Sequence, residues 1–226
     1  MSDTALVVMA RTPRLGEGKT RLAASLGPIP TLQLYRAFLT DLARRFSPDN
    51  NCDLYWAYTP PESDFASELA QLVPDLSPGT CFPQQGADFA SRLHQVFHTM
   101  TARAVPRTIV IGSDSPHISC ALVSQARLAL EENDVVLGPA DDGGYYLIGM
   151  REPHDLFTGI PMSTSQVFRM TVSRARELSL SVHLLETLFD VDELADFLRL
   201  AHLLQDNPDL APSTASHITH LMKELV

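Results

Sequence analysis

The chain has 226 residues and carries 27 Asp and Glu against 17 Lys and Arg, a formal charge of −10, which excludes a nucleic-acid clamp because phosphate-backbone affinity rests on surplus Lys and Arg. With 45% hydrophobic and 19% charged residues the composition is globular rather than disordered, and no apolar run reaches the roughly 18 residues of a membrane span. Cys52, Cys81 and Cys120 are odd in number and far apart, without a CxxC pair, which argues against a disulfide framework and a cysteine-rich zinc site. The expectation is a cytoplasmic protein of one domain, 1–226, with no nucleic-acid partner and no membrane span. Its oligomeric state, a homo-oligomer included, is left open.

The predicted elements begin with a strand at 5–9, followed by a helical stripe in which Tyr35, Phe38, Leu39, Leu42 and Phe46 recur at i, i+3, i+4, i+7 and i+11. Strands follow at 54–58, 108–111, 134–137, 145–148 and 181–185, and Leu194, Phe197, Leu198, Ala201 and Leu204 form a second stripe. The runs near 5, 109 and 135 are apolar on consecutive positions, as in strands buried on both faces of a parallel sheet. Alternating strand and helix predicts a layered α/β fold with a mostly parallel sheet. Proline-rich patches at 28–30, 60–61 and 74–83 are read as turns. Ligands of such sheets sit beyond the carboxyl ends of the strands. That singles out 11–22, 112–116 and 139–145.

The first of these segments gathers Arg11, Arg14, Lys19 and Arg21 within eleven residues, with Glu17 as their one acid. Gly16-Glu-Gly-Lys-Thr20 looks like a P-loop, but that pattern needs a glycine five residues before Gly18, where Pro13 stands. Proline has fixed φ and no N–H, so it cannot replace that glycine in an anion cradle. The better reading is a different phosphate loop, in which Gly16 and Gly18 let the backbone turn while Arg11, Lys19 and Arg21 meet a diphosphate. A solvated surface loop is the bland alternative.

Asp114 directly follows a strand, and Asp190-Val-Asp192 precedes the last helical stripe. Carboxylates converging on a diphosphate would repel it by about 4 kcal/mol per charge pair at about 4 Å and an effective dielectric near 20. A divalent cation reverses that sign. Mg²⁺ or Mn²⁺ takes one or two carboxylates along with waters and phosphate oxygens, which matches Asp114 plus Asp190 or Asp192. The alternative for Asp192 is a helix N-cap.

Five segments taken together resemble a known family: 9–22, Gln85-Gly-Ala-Asp-Phe-Ala-Ser-Arg92, Ile111-Gly-Ser-Asp-Ser-Pro116, 138–149 and Asp190-Val-Asp192. They are similar to the bacterial GT-A-type transferases. More narrowly, they resemble the group described as radical-SAM/selenodomain-associated transferase 1, linked to arsenosugar biosynthesis. The resemblance covers about residues 5–200. It implies a three-layer nucleotide-diphospho-sugar transferase fold whose relatives include glycosyltransferases and nucleotidyltransferases. By position it implies that Lys19 and Arg21 bind phosphates, with Ser113 also at the nucleotide. Asp114 would be the metal carboxylate and Asp192 the second ligand. Gln85 would read a base edge, and Asp88 would hold Arg92 or a ribose. The plain alternative for that stretch is a helix start with Asp88 and Arg92 as a surface pair. The chain departs from the family pattern at Arg11, Leu15 and Met162, and in lacking Thr-Pro after Asp192.

The chemistry implied is metal-dependent transfer from a nucleotide sugar to a small-molecule acceptor. The cation, Lys19 and Arg21 would stabilise the departing diphosphate. Asp142 is the candidate base, with Asp141 the runner-up, although Asp-Asp-Gly-Gly is equally a tight turn. Gly143, Gly144, Tyr145 and Thr164 mark the acceptor region. The rivals are nucleotidyl transfer from an NTP, which releases pyrophosphate, and a non-catalytic nucleotide sensor. His94 and His98, like His217 and His220, read as ordinary helical histidines. His117 lies near Asp114, and a loop histidine without a role is the preferred reading.

Overall fold

The computed structural model describes residues 2–46, 51–77, 79–162 and 164–224. Pro78 of the proline-rich patch and Ser163 of the acceptor-side segment therefore lie outside the described residues. Each expected strand forms, as β1 (Thr4–Arg11), β2 (Asp53–Thr59), β4 (Arg107–Gly112), β5 (Val135–Pro139), β6 (Tyr145–Met150) and β7 (Val182–Leu184). One further strand, β3 (Thr80–Pro83), lies inside the patch read as a turn. The seven strands make one sheet in the order β3-β2-β1-β4-β6-β5-β7. All pairings are parallel except those of β6, which runs antiparallel to both β4 and β5.

Helices cover both faces, as expected for a three-layer α/β fold with a mostly parallel sheet. They are α1 (Thr20–Leu26), α2 (Pro28–Arg45), α3 (Phe65–Leu72), α4 (Phe89–Ala102), α5 (Cys120–Ala129), α6 (Val167–Glu177), α7 (Leu194–Asp206) and α8 (Pro212–Glu224). The pleat of β1 divides its side chains between two cores. Leu6, Val8 and Ala10 join Phe38, Trp56, Leu122, Phe197 and Ile218 on one face, whereas Ala5, Val7 and Met9 join Leu93, Phe97, Met100 and Ala175 on the other. Two-sided burial explains why β1 reads as an unbroken apolar run.

The proline patch at 28–30 is not a turn. Pro28 opens α2, and a proline in the first helical turn loses nothing because its missing N–H would have had no partner there. The chain runs outward from β1 through β2 to β3 and then returns to place β4 on the other side of β1. That reversal leaves a crevice beyond the carboxyl ends of β1 and β4.

Candidate active site

After β1, the loop leading to α1 turns on Gly16 (φ 79°) and Gly18 (φ 77°), followed by Lys19 at φ 48°. A Cβ added at Gly18 would come 3.0 Å from Cδ of Arg11, so glycine here lets the Arg11 side chain lie across the loop. Left-handed backbone is uncommon for a residue with a side chain. At Lys19 it accompanies an inward-turned ammonium, whose Nζ meets Asp114 Oδ1 at 2.6 Å, Asp192 Oδ1 at 2.9 Å and the Val191 carbonyl at 2.7 Å. Three acceptors match the three donors of an ammonium, and the side chain is only 6% exposed. Burial alone would lower its pKa, but the two carboxylates outweigh it and raise the value to about 12.

The carboxylates come from distant segments held together by backbone. Asp114 follows β4, and its carbonyl accepts from the Val191 N–H at 3.0 Å. Ser115 Oγ donates to the Phe189 carbonyl at 3.1 Å and also bonds Asp190 Oδ1. Asp190 therefore sits behind the cleft. Burial, reinforced by Asp114 and Asp142 against the Ser115 bond and Lys19, raises its pKa to about 6. Asp192 faces the cleft. It is not the helix cap that it resembles in sequence: Glu193 takes the N-cap position of α7, while Asp196 Oδ2 accepts from the N–H groups of Asp192 and Glu193.

The cleft has a volume of about 230 Å³ and is bounded by Met9, Ala10, Arg11, Gly18, Lys19, Tyr35, Thr59, Gln84, Phe89, Arg92, Ser113, Asp114 and Asp192. Ser113 is buried and shares a 3.0 Å hydrogen bond with the Tyr35 hydroxyl, which also bonds Arg11 N–H and C=O. Burial, then Asp114, raises that phenol to about 12. Arg21 lies outside the cleft wall and pairs with Glu193 at 3.1 Å. Gln85 is exposed, whereas its neighbour Gln84 is buried and donates to the Ala57 carbonyl at 2.8 Å. Strand alternation from buried Phe82 was the available signal for Gln84. Asp88 caps α4 by accepting from Ser91 N–H at 2.8 Å, in a reciprocal capping box. Its carboxyl is held below the usual range by that interaction. Arg92 and Phe89, in the first turn of α4, enter the cleft wall; Phe89 was not singled out in the sequence and remains 41% exposed.

The turn between β5 and β6, which carries the expected base and acceptor-side residues, does not line this cleft. Asp142 Oδ1 accepts from Gly144 N–H at 2.8 Å, the expected tight turn, while Asp142 stays exposed. Asp141 pairs with Arg199 instead, and that guanidinium lies 4.0 Å from the centre of the Phe189 ring. Gly143 (φ 87°) packs so closely on the segment before α6 that a Cβ would come 2.0 Å from the Ser165 carbonyl oxygen. In that segment Thr164 is exposed, its hydroxyl bonded to the Pro161 carbonyl. Tyr145 packs on the α4/α6 core and Tyr146 on the opposite one. Burial raises both phenols. His117 is buried, with its ring 4.4 Å from Phe189.

Among the described residues, no three His, Cys, Asp or Glu side chains form a metal cage, and no helix is long and apolar enough to cross a membrane. Fold and site together define the class: a mostly parallel α/β sheet with a cationic loop and paired carboxylates at its switch point, the architecture of nucleotide-utilising transferases. The chain belongs to the bacterial family described as "Uncharacterized protein conserved in bacteria (DUF2064)", which matches residues 42–164, just over half of its length. No curated protein matches it. A crystal structure described as a "putative nucleotide-diphospho-sugar transferase" from Desulfovibrio desulfuricans G20 is similar over 99% of this chain and 98% of its own, with 29% identity and a TM-score of 0.90. The GT-A-type expectation is thus borne out at the level of fold. More distant likenesses show the fold alone. A cytidylyltransferase from Leptospira borgpetersenii is 10% identical over 93% of this chain and 97% of its own, with a TM-score of 0.53. The 4-diphosphocytidyl-2C-methyl-D-erythritol synthase from Anaerococcus prevotii is 8% identical over 90% and 100%, with a TM-score of 0.57.

Proposed function

We propose that this chain is a cytoplasmic, divalent-cation-dependent transferase that moves a sugar from a nucleotide-diphospho-sugar to a small-molecule acceptor. The observation that carries the reading is the meeting of Arg11, Lys19 and Arg92 with Asp114 and Asp192 in one cleft beyond β1 and β4. The similarity to the Desulfovibrio protein supports sugar transfer in particular. The donor set fits the cation: Asp114 and Asp192 offer only hard oxygen ligands, and Mg²⁺ or Mn²⁺ completes its shell with waters and phosphate oxygens rather than a full protein cage. Bound there, it would neutralise charge on the departing nucleoside diphosphate.

The chain's own residues do the rest. Arg11, Lys19 and Arg92 bind and orient the diphosphate, and Phe89 offers a face to the base. The acceptor hydroxyl attacks the anomeric carbon, the bond from that carbon to the phosphate oxygen breaks, and the hydroxyl proton passes to Asp142. Asp142 is favoured over Asp141 because Arg199 already holds the latter. Asp142 Oδ1 is fixed by Gly144 N–H, so Oδ2 is the proton acceptor. Calorimetry with UDP- and GDP-sugars and with NTPs, with and without Mn²⁺, tests the reading. Sugar-nucleotide binding that needs Mn²⁺ and is lost in Asp114→Asn is expected. Tight NTP binding followed by pyrophosphate release would overturn it in favour of nucleotidyl transfer.

A further inference from the structure

Resting on that reading, the structure assigns Lys19 a second role: we propose that its ammonium is a built-in competitor for the divalent cation, so that the cation enters the site together with a diphosphate. The argument starts from the tripod of Asp114 Oδ1, Asp192 Oδ1 and the Val191 carbonyl, all within 2.9 Å of Nζ. A cation between Asp114 and Asp192 would use the two carboxylates that the ammonium already binds. A lysine is a single charge on a flexible four-carbon stem, and Gly18 and Lys19 line the cleft together with the cations Arg11 and Arg92. A diphosphate in the cleft gives the ammonium a new partner. Its departure frees both carboxylates, which would then hold the metal, with phosphate oxygens available to complete the shell. Lys19 then serves as carboxylate counter-ion in one state and phosphate ligand in the other.

This exchange makes cation and diphosphate binding cooperative, and removing the Lys19 charge affects cation affinity with opposite sign in the absence and presence of diphosphate. Lys19→Met keeps the length of the stem and removes the charge. Mn²⁺ is titrated by the electron paramagnetic resonance signal of the free ion, alone and with inorganic pyrophosphate, on wild type and variant. Without pyrophosphate the variant is expected to bind Mn²⁺ at least tenfold more tightly than wild type. With saturating pyrophosphate the order reverses, and the variant binds the Mn²⁺–pyrophosphate pair at least tenfold more weakly. General loss of a positive charge tightens metal binding in both conditions, so that pattern overturns the exchange, as does an unchanged or weakened affinity for Mn²⁺ alone. Asp192→Asn, which removes one of the shared carboxylates, is expected to abolish the pyrophosphate-dependent coupling even if Lys19→Met folds poorly; retained coupling overturns the proposal. A wild type that binds pyrophosphate but no Mn²⁺ in either condition removes the metal-dependent reading itself, and the exchange with it.

Discussion

Replacing His117 with phenylalanine should flatten the acid limb of the stability profile. His117 is 6% exposed, its ring is stacked on Phe189, and both ring nitrogens are buried without a hydrogen-bond partner. Burial, with Arg45 and Arg199 adding to it, lowers its pKa from 6.5 to about 4. The fold therefore keeps the ring neutral while the unfolded chain protonates it near pH 6.5. Above that pH neither state binds the proton and stability is unaffected. As pH falls from 6.5 toward 4 the unfolded state takes up the proton first and stability is lost; below 4 both states are protonated and the loss is complete. A shift of this size corresponds to about 2 kcal/mol at pH 5 and about 3 kcal/mol below pH 4, a large part of the roughly 5–15 kcal/mol by which domains are stable. Urea unfolding of wild type and His117→Phe between pH 7.5 and 4 reads this directly. The phenyl ring keeps an aromatic face against Phe189 and removes two unpaired nitrogens, so the variant should match or exceed wild type at pH 7.5. Its advantage should widen by about 3 kcal/mol toward pH 4. Parallel profiles would refute the argument, because they would mean that His117 titrates alike in both states.

Three other substitutions, one of them paired with a control, test separate parts of the molecule. Asp41, 3% exposed on α2, accepts from Ser213 N–H, Thr214 N–H and the Thr214 hydroxyl, all within 2.8 Å. Asp41→Ala orphans these donors and is expected to cost about 3 kcal/mol, with amide exchange rising first in α8. Gly143→Ala places a Cβ against the Ser165 carbonyl at φ 87°; it should lose at least about 2 kcal/mol and impair transfer by moving the turn that bears Asp142. Gly159→Ala is its control, because that glycine also has positive φ but no atom within 4 Å of the added Cβ; its cost should stay near about 1 kcal/mol. Phe89→Ala should weaken nucleotide binding about tenfold through lost stacking, measured by calorimetry, with little change in melting temperature because the ring is 41% exposed.

What could be read from the residues followed the ranges of the interactions involved. β1, β4 and β5 announce themselves because burial on both faces leaves no polar position to interrupt them. β3 spans four residues and ends in a proline at the sheet edge, so local pattern could not distinguish it from a turn. Pro28 misled for a related reason: the same residue that breaks a helix interior is welcome in its first turn. The cleft was legible where side chains follow strand ends, as at Arg11, Ser113 and Asp114. It was not legible where partners are chosen in three dimensions. Nothing within ten residues of Lys19 indicates that its ammonium will meet Asp114 and Asp192. Likewise Arg21 turns to Glu193 and Asp141 to Arg199, pairs separated by 172 and 58 positions.

The reversed direction of β6 has a consequence for how such a site can diversify. Because β6 starts at the end of the sheet where β5 finishes, five residues suffice to join them, and Asp142 sits at a hairpin tip. The loop that carries Lys19, by contrast, is anchored between the central strand β1 and the helix α1. A hairpin tip can be lengthened, shortened or recoloured without altering the register of the sheet. Related chains can therefore vary at that tip while keeping the loop between β1 and α1 unchanged.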